Sequence, residues 1–437
     1  MSRSIELDKY SRIKNKLFYD YIGYVTQVVG LTIRCNLPRA EVGQLCEIVK
    51  GDGRHVLAEV VGFEEKGVIL MAIGDTEGIR QGCPVRSFGE PLKVRVGAEL
   101  KGRILNGLGK PIDGNGDIIM GSWRRIHAVP PNPLARKPIK EPFFTGIRAI
   151  DGLITCGKGQ RFGIFAGSGV GKSTLMGMIA RSSSADVNVI ALIGERGREV
   201  NDFIEKSLGP EGMKKSVVVV STSDEPAMLR IKAAYTATAI AEYFRDNGCD
   251  VMFMMDSVTR FAMAQREIGL AVGEPPVSKG YTPSVFSVLP KLMERTGNGD
   301  VGSITALYTV LVDGDDFNEP VTDAVRSILD GHIVLSRKLA NSNHYPAIDV
   351  LASVSRVMSD VVTEEHLELA AKIKNIMAVY RDFEDLISIG AYKKGSNPEV
   401  DYAIERVNKI NDFLRQKVNE ITDPADIIER MKKIIGD

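Results

Sequence analysis

The sequence predicts an α/β protein in three parts: a small β-barrel, a mainly parallel sheet covered by helices, and a helical end. Three observations predict it. Between residues 21 and 92, short apolar runs alternate with Gly- and Asp-bearing turns. From 141 to 360, β-runs alternate with helical runs, as in strands joined by crossover helices. Beyond 361, apolar residues recur at helical spacing.

The totals fit this reading. The 437 residues are enough for two or three domains, and 44% hydrophobic with 26% charged residues describes an ordinary globular chain. No apolar run approaches the ~20 residues of a membrane span. The start, Met-Ser-Arg-Ser-Ile-Glu-Leu-Asp-Lys, lacks the apolar stretch of a signal peptide. Cys35, Cys46, Cys83, Cys156 and Cys249 are odd in number and never paired as Cys-x-x-Cys, which favours reduced thiols in a cytoplasmic setting over disulfides or zinc. Lys+Arg and Asp+Glu balance at 56 each, so the chain exerts no overall pull on nucleic acid.

Along the chain, residues 1–19 carry Leu7, Tyr10, Ile13 and Leu17 at helical spacing. That stripe suits either a helix packed on the following domain or a docking segment. The barrel follows over 20–92, its runs including Tyr24-Val-Thr-Gln-Val-Val, Leu45-Cys-Glu-Ile-Val, Val56-Leu-Ala-Glu-Val-Val and Val68-Ile-Leu-Met-Ala, about six strands in all. Residues 93–140 are rich in turns and prolines, which forbid regular helix or a central strand, and read as a connector laid over the surface of the next domain. Strands are expected at 161–166, 187–194, 216–222, 251–256, 303–312 and 332–336, with a long helix at 226–247. The end, 363–437, reads as helices over 364–380, 400–420 and 424–435. The basic loop Gly390-Ala-Tyr392-Lys393-Lys394-Gly lies between the first two.

The chemistry concentrates at Arg161-Phe-Gly-Ile-Phe-Ala-Gly167-Ser168-Gly169-Val170-Gly171-Lys172-Ser173-Thr174. Strand, glycine loop, Lys-Ser and helix in that order form a phosphate-binding loop. Glycines let consecutive backbone N–H groups converge on phosphate oxygens at the positive end of a helix. Lys172 would bridge the outer phosphates and the Ser173 hydroxyl would hold Mg²⁺. The strict pattern opens with Gly; Ala166 stands there, the smallest substitute. A dinucleotide loop has a different glycine spacing and needs no Lys-Ser. The stretch therefore reads as a nucleoside-triphosphate site.

Carboxylates should flank it. The strand ending Ala191-Leu-Ile-Gly-Glu195-Arg196-Gly-Arg-Glu delivers Glu195 to the same sheet edge, where it could polarise an attacking water; an ordinary surface charge is the alternative. Val251-Met-Phe-Met-Met-Asp256 is apolar until its last residue, the pattern of a carboxylate acting on Mg²⁺ through water. Tyr345 could stack on adenine or belong to the core. Arg356, in the small and apolar segment Ser353-Val-Ser-Arg-Val-Met, suits a buried ion pair or an arginine supplied to a neighbouring subunit's γ-phosphate.

The runs Phe165–Thr174, Gly194–Glu199 and Asp256-Ser-Val-Thr-Arg-Phe-Ala-Met-Ala-Gln-Arg-Glu resemble the rotary ATPase superfamily. Pro130-Pro-Asn-Pro-Leu, Gly273-Glu-Pro-Pro-Val-Ser-Lys-Gly-Tyr-Thr-Pro-Ser-Val and Asp313-Gly-Asp-Asp-Phe-Asn-Glu-Pro are similar to the flagellar type III export ATPases within it, and the match spans nearly the whole chain. The resemblance implies a RecA-like P-loop NTPase core over 93–362, an N-terminal six-stranded β-barrel, a C-terminal helical domain and a homohexameric ring. It implies ATP and Mg²⁺ as ligands, Glu195 as catalytic carboxylate with Arg196 beside it, and Asp256 as the second acid. Tyr345 becomes the adenine platform and Arg356 the arginine finger. Residues 1–19 would dock a stator protein, and Tyr392, Lys393 and Lys394 would face a coiled-coil axle protein. The ring would sit at the inner face of the cytoplasmic membrane, at an export gate that receives export substrates and chaperones.

Three rival readings share parts of this pattern. An injectisome ATPase has the same fold, and a rotary ATP synthase subunit would need a related second chain. A hexameric RNA translocase also joins a barrel to such a motor, but neutrality and the missing base-stacking motif argue against it.

Overall fold

The computed structural model describes residues 21–65, 67–312, 317 and 319–436. The stripe Leu7, Tyr10, Ile13 and Leu17 lies outside the described residues, as do Asp313–Asp316 and Asn318 of the acidic motif. The chain divides into two compact units, Met1–Leu92 and Lys93–Asp437.

In the first unit, strands Ile22–Val29, Thr32–Cys35, Gln44–Val49, His55–Glu64, Gly67–Ala72 and Pro84–Pro91 close into a six-stranded barrel. Every neighbouring pair is antiparallel. Alternate residues face inward, so Val25, Ile33, Ile48, Val60, Leu70 and Val85 make the core. Closure removes the unpaired edges that an open sheet of this size would carry.

The second unit is built on one sheet. Its order is Ile348–Ser355, Gly331–Leu335, Arg161–Ala166, Ser303–Leu311, Asp250–Asp256, Val187–Glu195, Ser216–Thr222 and Ile104–Asn106, with Gly297–Asn298 paired off this path. The six inner strands are parallel and nearly continuous in apolar residues, because helices cover both faces. They fall at the positions expected from the alternation of β-runs and helical runs.

Both edges correct the sequence reading. Ile104–Asn106, from the connector, pairs parallel with Val218–Val220. Lys93–Val96 also pairs with Ser122–Arg125, burying Val94 and Val96. The connector's prolines lie outside these short strands and so do not interrupt them. At the other edge, Ile348–Ser355 runs antiparallel to Gly331–Leu335 as an added strand. Its residues alternate between buried and more open positions, with Ile348, Val350 and Ser353 buried, so one face is covered less than the other.

The terminal helices are Glu364–Ser388, Pro398–Leu414 and Pro424–Ile435. The side chains of Thr363, Asn397 and Asp423 cap their first turns, and the latter two helices open on proline, whose missing N–H is harmless there. The first runs further than expected and the second stops six residues short of 420, leaving an irregular segment over 415–422. Among the described residues no helix is long and apolar enough to cross a membrane. All five cysteines are free thiols.

Candidate active site

The strand Arg161–Ala166 lies inside the sheet, and its loop emerges where the parallel strands end. Gly169 (φ 77°) and Gly171 (φ 92°) adopt left-handed conformations that a side chain would resist, and they let the loop turn back on its helix. Gly167 and Val170 are buried, Val170 in the core, while Ser168, Gly169, Ser173 and Thr174 are open to solvent. Helix Lys172–Ser182 then begins at the lysine itself.

Three ionisable groups from three elements converge there. Lys172 Nζ donates to Asp256 Oδ1 and lies 3.7 Å from Glu195 Oε1. Asp256 ends its strand 3% exposed and accepts a 2.7 Å hydrogen bond from Thr309 Oγ1 on the next strand. Glu195 ends Val187–Glu195 just past Gly194 (φ 69°), where the register shifts. A Cβ at Gly194 would lie 2.8 Å from Arg260 Cβ, so glycine lets that helix approach the strand end.

The electrostatics follow from this packing. Burial pushes the Glu195 carboxyl up, the Asp256 charge adds to it, and Lys172 only partly offsets them, leaving it at about 7. Burial would lower the Lys172 ammonium, but Asp256 and Glu195 together hold it above the ordinary lysine value. Glu195 Oε1 is buried and accepts no hydrogen bond, Lys172 Nζ standing beyond that reach at 3.7 Å.

Tyr345 is 42% exposed and does not belong to the core. Its ring would come 3.4 Å from a Cβ on Gly171, so the glycine brings loop and aromatic face together. With Leu175, Met178, Leu335, Gln416 and Val418 it lines an apolar cavity of about 270 Å³ beside the loop. That shape and lining suit a planar base.

Two expected residues stand elsewhere. Arg196 is exposed, 3.9 Å from Glu199, and takes no part in the Lys172 cluster. Arg356 follows the antiparallel edge strand, whose Ile348 pairs with Leu335 at the loop end and whose Ser355 pairs with Gly331 at the opposite end. It is exposed, and among the described residues its guanidinium has no acidic partner, so the buried ion pair is excluded. Roughly five residues of strand, on the order of 17 Å, separate it from the loop end of its own sheet. Tyr392 shapes its own turn, its hydroxyl bonding Asn397 O at 2.9 Å and Asp401 Oδ1 at 3.0 Å, while Lys393 and Lys394 are exposed.

The sequence reading missed Thr309, which fixes Asp256, and Gln416 with Val418, which close the base cavity. Thr309 sits in an apolar strand that carries no sign of function. The other two lie in a stretch the sequence assigned to helix. Among the described residues no group of three or more His, Cys, Asp or Glu forms a metal cage. The available donors, the Ser173 hydroxyl, Asp256 and the unpartnered Glu195 oxygen, are hard oxygens. Such a set suits a divalent ion that shares phosphate and water ligands.

Residues 146–355 match the ATP synthase alpha/beta family, nucleotide-binding domain, and residues 25–89 match that family's beta-barrel domain. Residues 362–433 match the T3SS EscN ATPase C-terminal domain. The flagellum-specific ATP synthase of Bacillus subtilis (strain 168) is 57% identical over 404 residues, 92% of each chain. The chain belongs to the flagellum-specific and type III secretion ATPases. Another relative in this export ATPase family, the type 3 secretion system ATPase of Xanthomonas euvesicatoria, is 50% identical over 95% of this chain and 94% of its own. The assembled ATPase EscN from the enteropathogenic E. coli type III secretion system superposes with a TM-score of 0.90 at 50% identity, covering 95% of this chain and all of that one. EscN in complex with its central stalk EscO gives 0.88 at the same identity. As an export ATPase the chain binds and hydrolyses ATP.

Proposed function

We propose that this chain is the Mg²⁺-dependent ATPase that energises type III export of flagellar proteins, working as a homohexameric ring at the inner face of the cytoplasmic membrane. The observation that carries the mechanism is the Lys172–Asp256–Glu195 cluster at the mouth of the phosphate-binding loop. In this reading the γ-phosphate draws Lys172 away from Asp256, and the loop N–H groups hold the remaining phosphate oxygens. Ser173 and Asp256 would hold Mg²⁺, which when bound offsets the charge on the outer phosphates. Glu195, released from the pull of Lys172, orients water in line with the γ-phosphate through its unpartnered oxygen. Tyr345 stacks on adenine. Arg196, exposed beside the loop edge, contributes at the subunit boundary.

Arg356 supports the ring. It is exposed at the end of the sheet away from its own loop, so it serves a neighbouring subunit's pocket. EscN is named as assembled and as bound to a central stalk; in this chain the exposed Lys393 and Lys394 turn would meet such an axle. Residues 1–19 would dock a stator protein, and 20–92, 93–362 and 363–437 would act as barrel, motor and output domains. Export substrates, chaperones and the membrane gate complete the partner set.

A chromosomal Glu195→Gln substitution tests this. The chain should accumulate normally while filament and hook proteins vanish from the medium and swimming stops. Continued flagellar export, or loss confined to a virulence secretion system, overturns the flagellar assignment.

A further inference from the structure

Arg148 is one of the most deeply buried charged residues in the second unit, at 2% exposure. It opens the short helix Arg148–Leu153, yet its donors all reach one distant segment. Nε donates to Phe413 O at 2.7 Å, and Nη2 donates to Arg415 O. Nη1 meets the Glu420 carboxylate and Thr422 Oγ1, the latter at 3.2 Å. The backbone N–H of Arg148 donates to Gln416 Oε1 at 2.9 Å.

Gln416 returns the contact. Its Nε2 donates to Gly146 O at 2.8 Å and to Glu420 O at 2.9 Å, and its backbone N–H donates to Tyr345 O at 3.0 Å. The adjoining Val418 carbonyl accepts from Arg181 Nη2, on the helix that follows the phosphate loop, at 2.8 Å. One irregular segment thus ends the helix Pro398–Leu414, leads into Pro424–Ile435, and walls the base cavity beside Tyr345. A guanidinium is the side chain that can take two carbonyls and a carboxylate in one plane; a lysine ammonium cannot.

We propose that Arg148 is a positioning residue that clasps residues 413–422, so that the terminal helices set the affinity of the base cavity while leaving the phosphate loop alone. The inference rests on the nucleotide reading above. None of these contacts involves Lys172, Asp256 or Glu195. Loosening the clasp therefore removes the wall beside Tyr345, and with it the recognition of the base, without touching recognition of the triphosphate.

The test uses the full chain and two ligands, the magnesium salts of ATP and of inorganic tripolyphosphate, which has the phosphate chain and no base. Equilibrium affinities are measured for wild type, Arg148→Lys and Glu420→Ala, which removes a partner of Arg148 that does not line the cavity, with kcat for ATP alongside. Both variants should bind ATP roughly 5- to 150-fold more weakly, the range of one lost base stack. Tripolyphosphate affinity should hold within about twofold, as for an independent site. The kcat at saturating ATP should be retained. Equal weakening of both ligands, or unchanged ATP affinity, overturns the clasp. If Arg148→Lys does not fold, the affinity ratio of Glu420→Ala decides between these outcomes by itself. A wild-type chain that binds but does not hydrolyse ATP overturns the enzymatic assignment instead, and the affinity ratio still decides the clasp.

Discussion

Lys172 stands between two carboxylates that repel each other, and that placement governs how the site responds to pH. Glu195 is held at about 7, above the ordinary carboxyl range, by burial first and by Asp256 second. A raised carboxyl is protonated below its shifted value, and only the ionised form can orient water. The free enzyme's kcat/KM should therefore fall as pH drops through about 7, and the acid limb should be absent in Glu195→Gln. That variant should keep ATP binding while turnover falls by roughly two to four orders of magnitude; near-normal turnover would move the catalytic role to another group. Lys172→Ala should lose most nucleotide affinity, because no water can supply a buried ammonium at that position. Binding at wild-type strength would refute the loop's assignment. These residues were legible because each is announced locally, by a glycine loop or by a carboxylate ending an apolar strand. Arg148 and Gln416 were not, since their hydrogen bond joins positions 268 apart and neither sits in a motif.

The connector shows the same limit for whole elements. Its short strand Ser122–Arg125 is anchored by Arg124 to Asp246 at 2.8 Å, and the following Ile126 carbonyl accepts from Arg295 at 2.7 Å. Arg295 also makes two 2.8 Å bonds to Glu242, both residues being almost fully buried. Proline content announced the turns but hid these strands, because three or four residues carry too little periodicity to stand out. The edge strand Ile348–Ser355 escaped for a related reason, one face being covered less than the other. Next to the anchor, His127 packs on Tyr235 with ring centroids 4.2 Å apart, and burial together with Lys232 and Arg295 pushes it down to about 3. An unfolded histidine takes up its proton near 6.5, while the folded one refuses it until about 3. Stability should therefore decline by about 1.4 kcal/mol per pH unit across that window from this group. Denaturant unfolding of His127→Gln between pH 6 and 4 should show a slope shallower than wild type by that amount. Parallel slopes would mean the connector opens to admit the proton.

For the whole molecule, the parallel inner sheet and the barrel were readable from alternation, whereas the direction in which Arg356 faces was not. If the arginine serves a neighbour, specific activity should rise with protein concentration as rings form, and mass measured alongside should rise with it. Arg356→Ala should bind ATP and hydrolyse it poorly at every concentration, given that such fingers contribute about 10³–10⁵ in rate. Mixing it with Glu195→Gln should restore activity, since in an equal mixture about a quarter of head-to-tail junctions join an intact pocket to an intact arginine. Mixed rings without recovery, or a fully active monomer, would end the idea. The far-end position of Arg356 also has a genetic side. A chain that gives at one end of its sheet and receives at the other makes every copy a debtor to the next. An Arg356→Ala allele expressed beside the normal gene would then silence pockets whose own sequence is faultless, and its dominance would grow with its share of the pool.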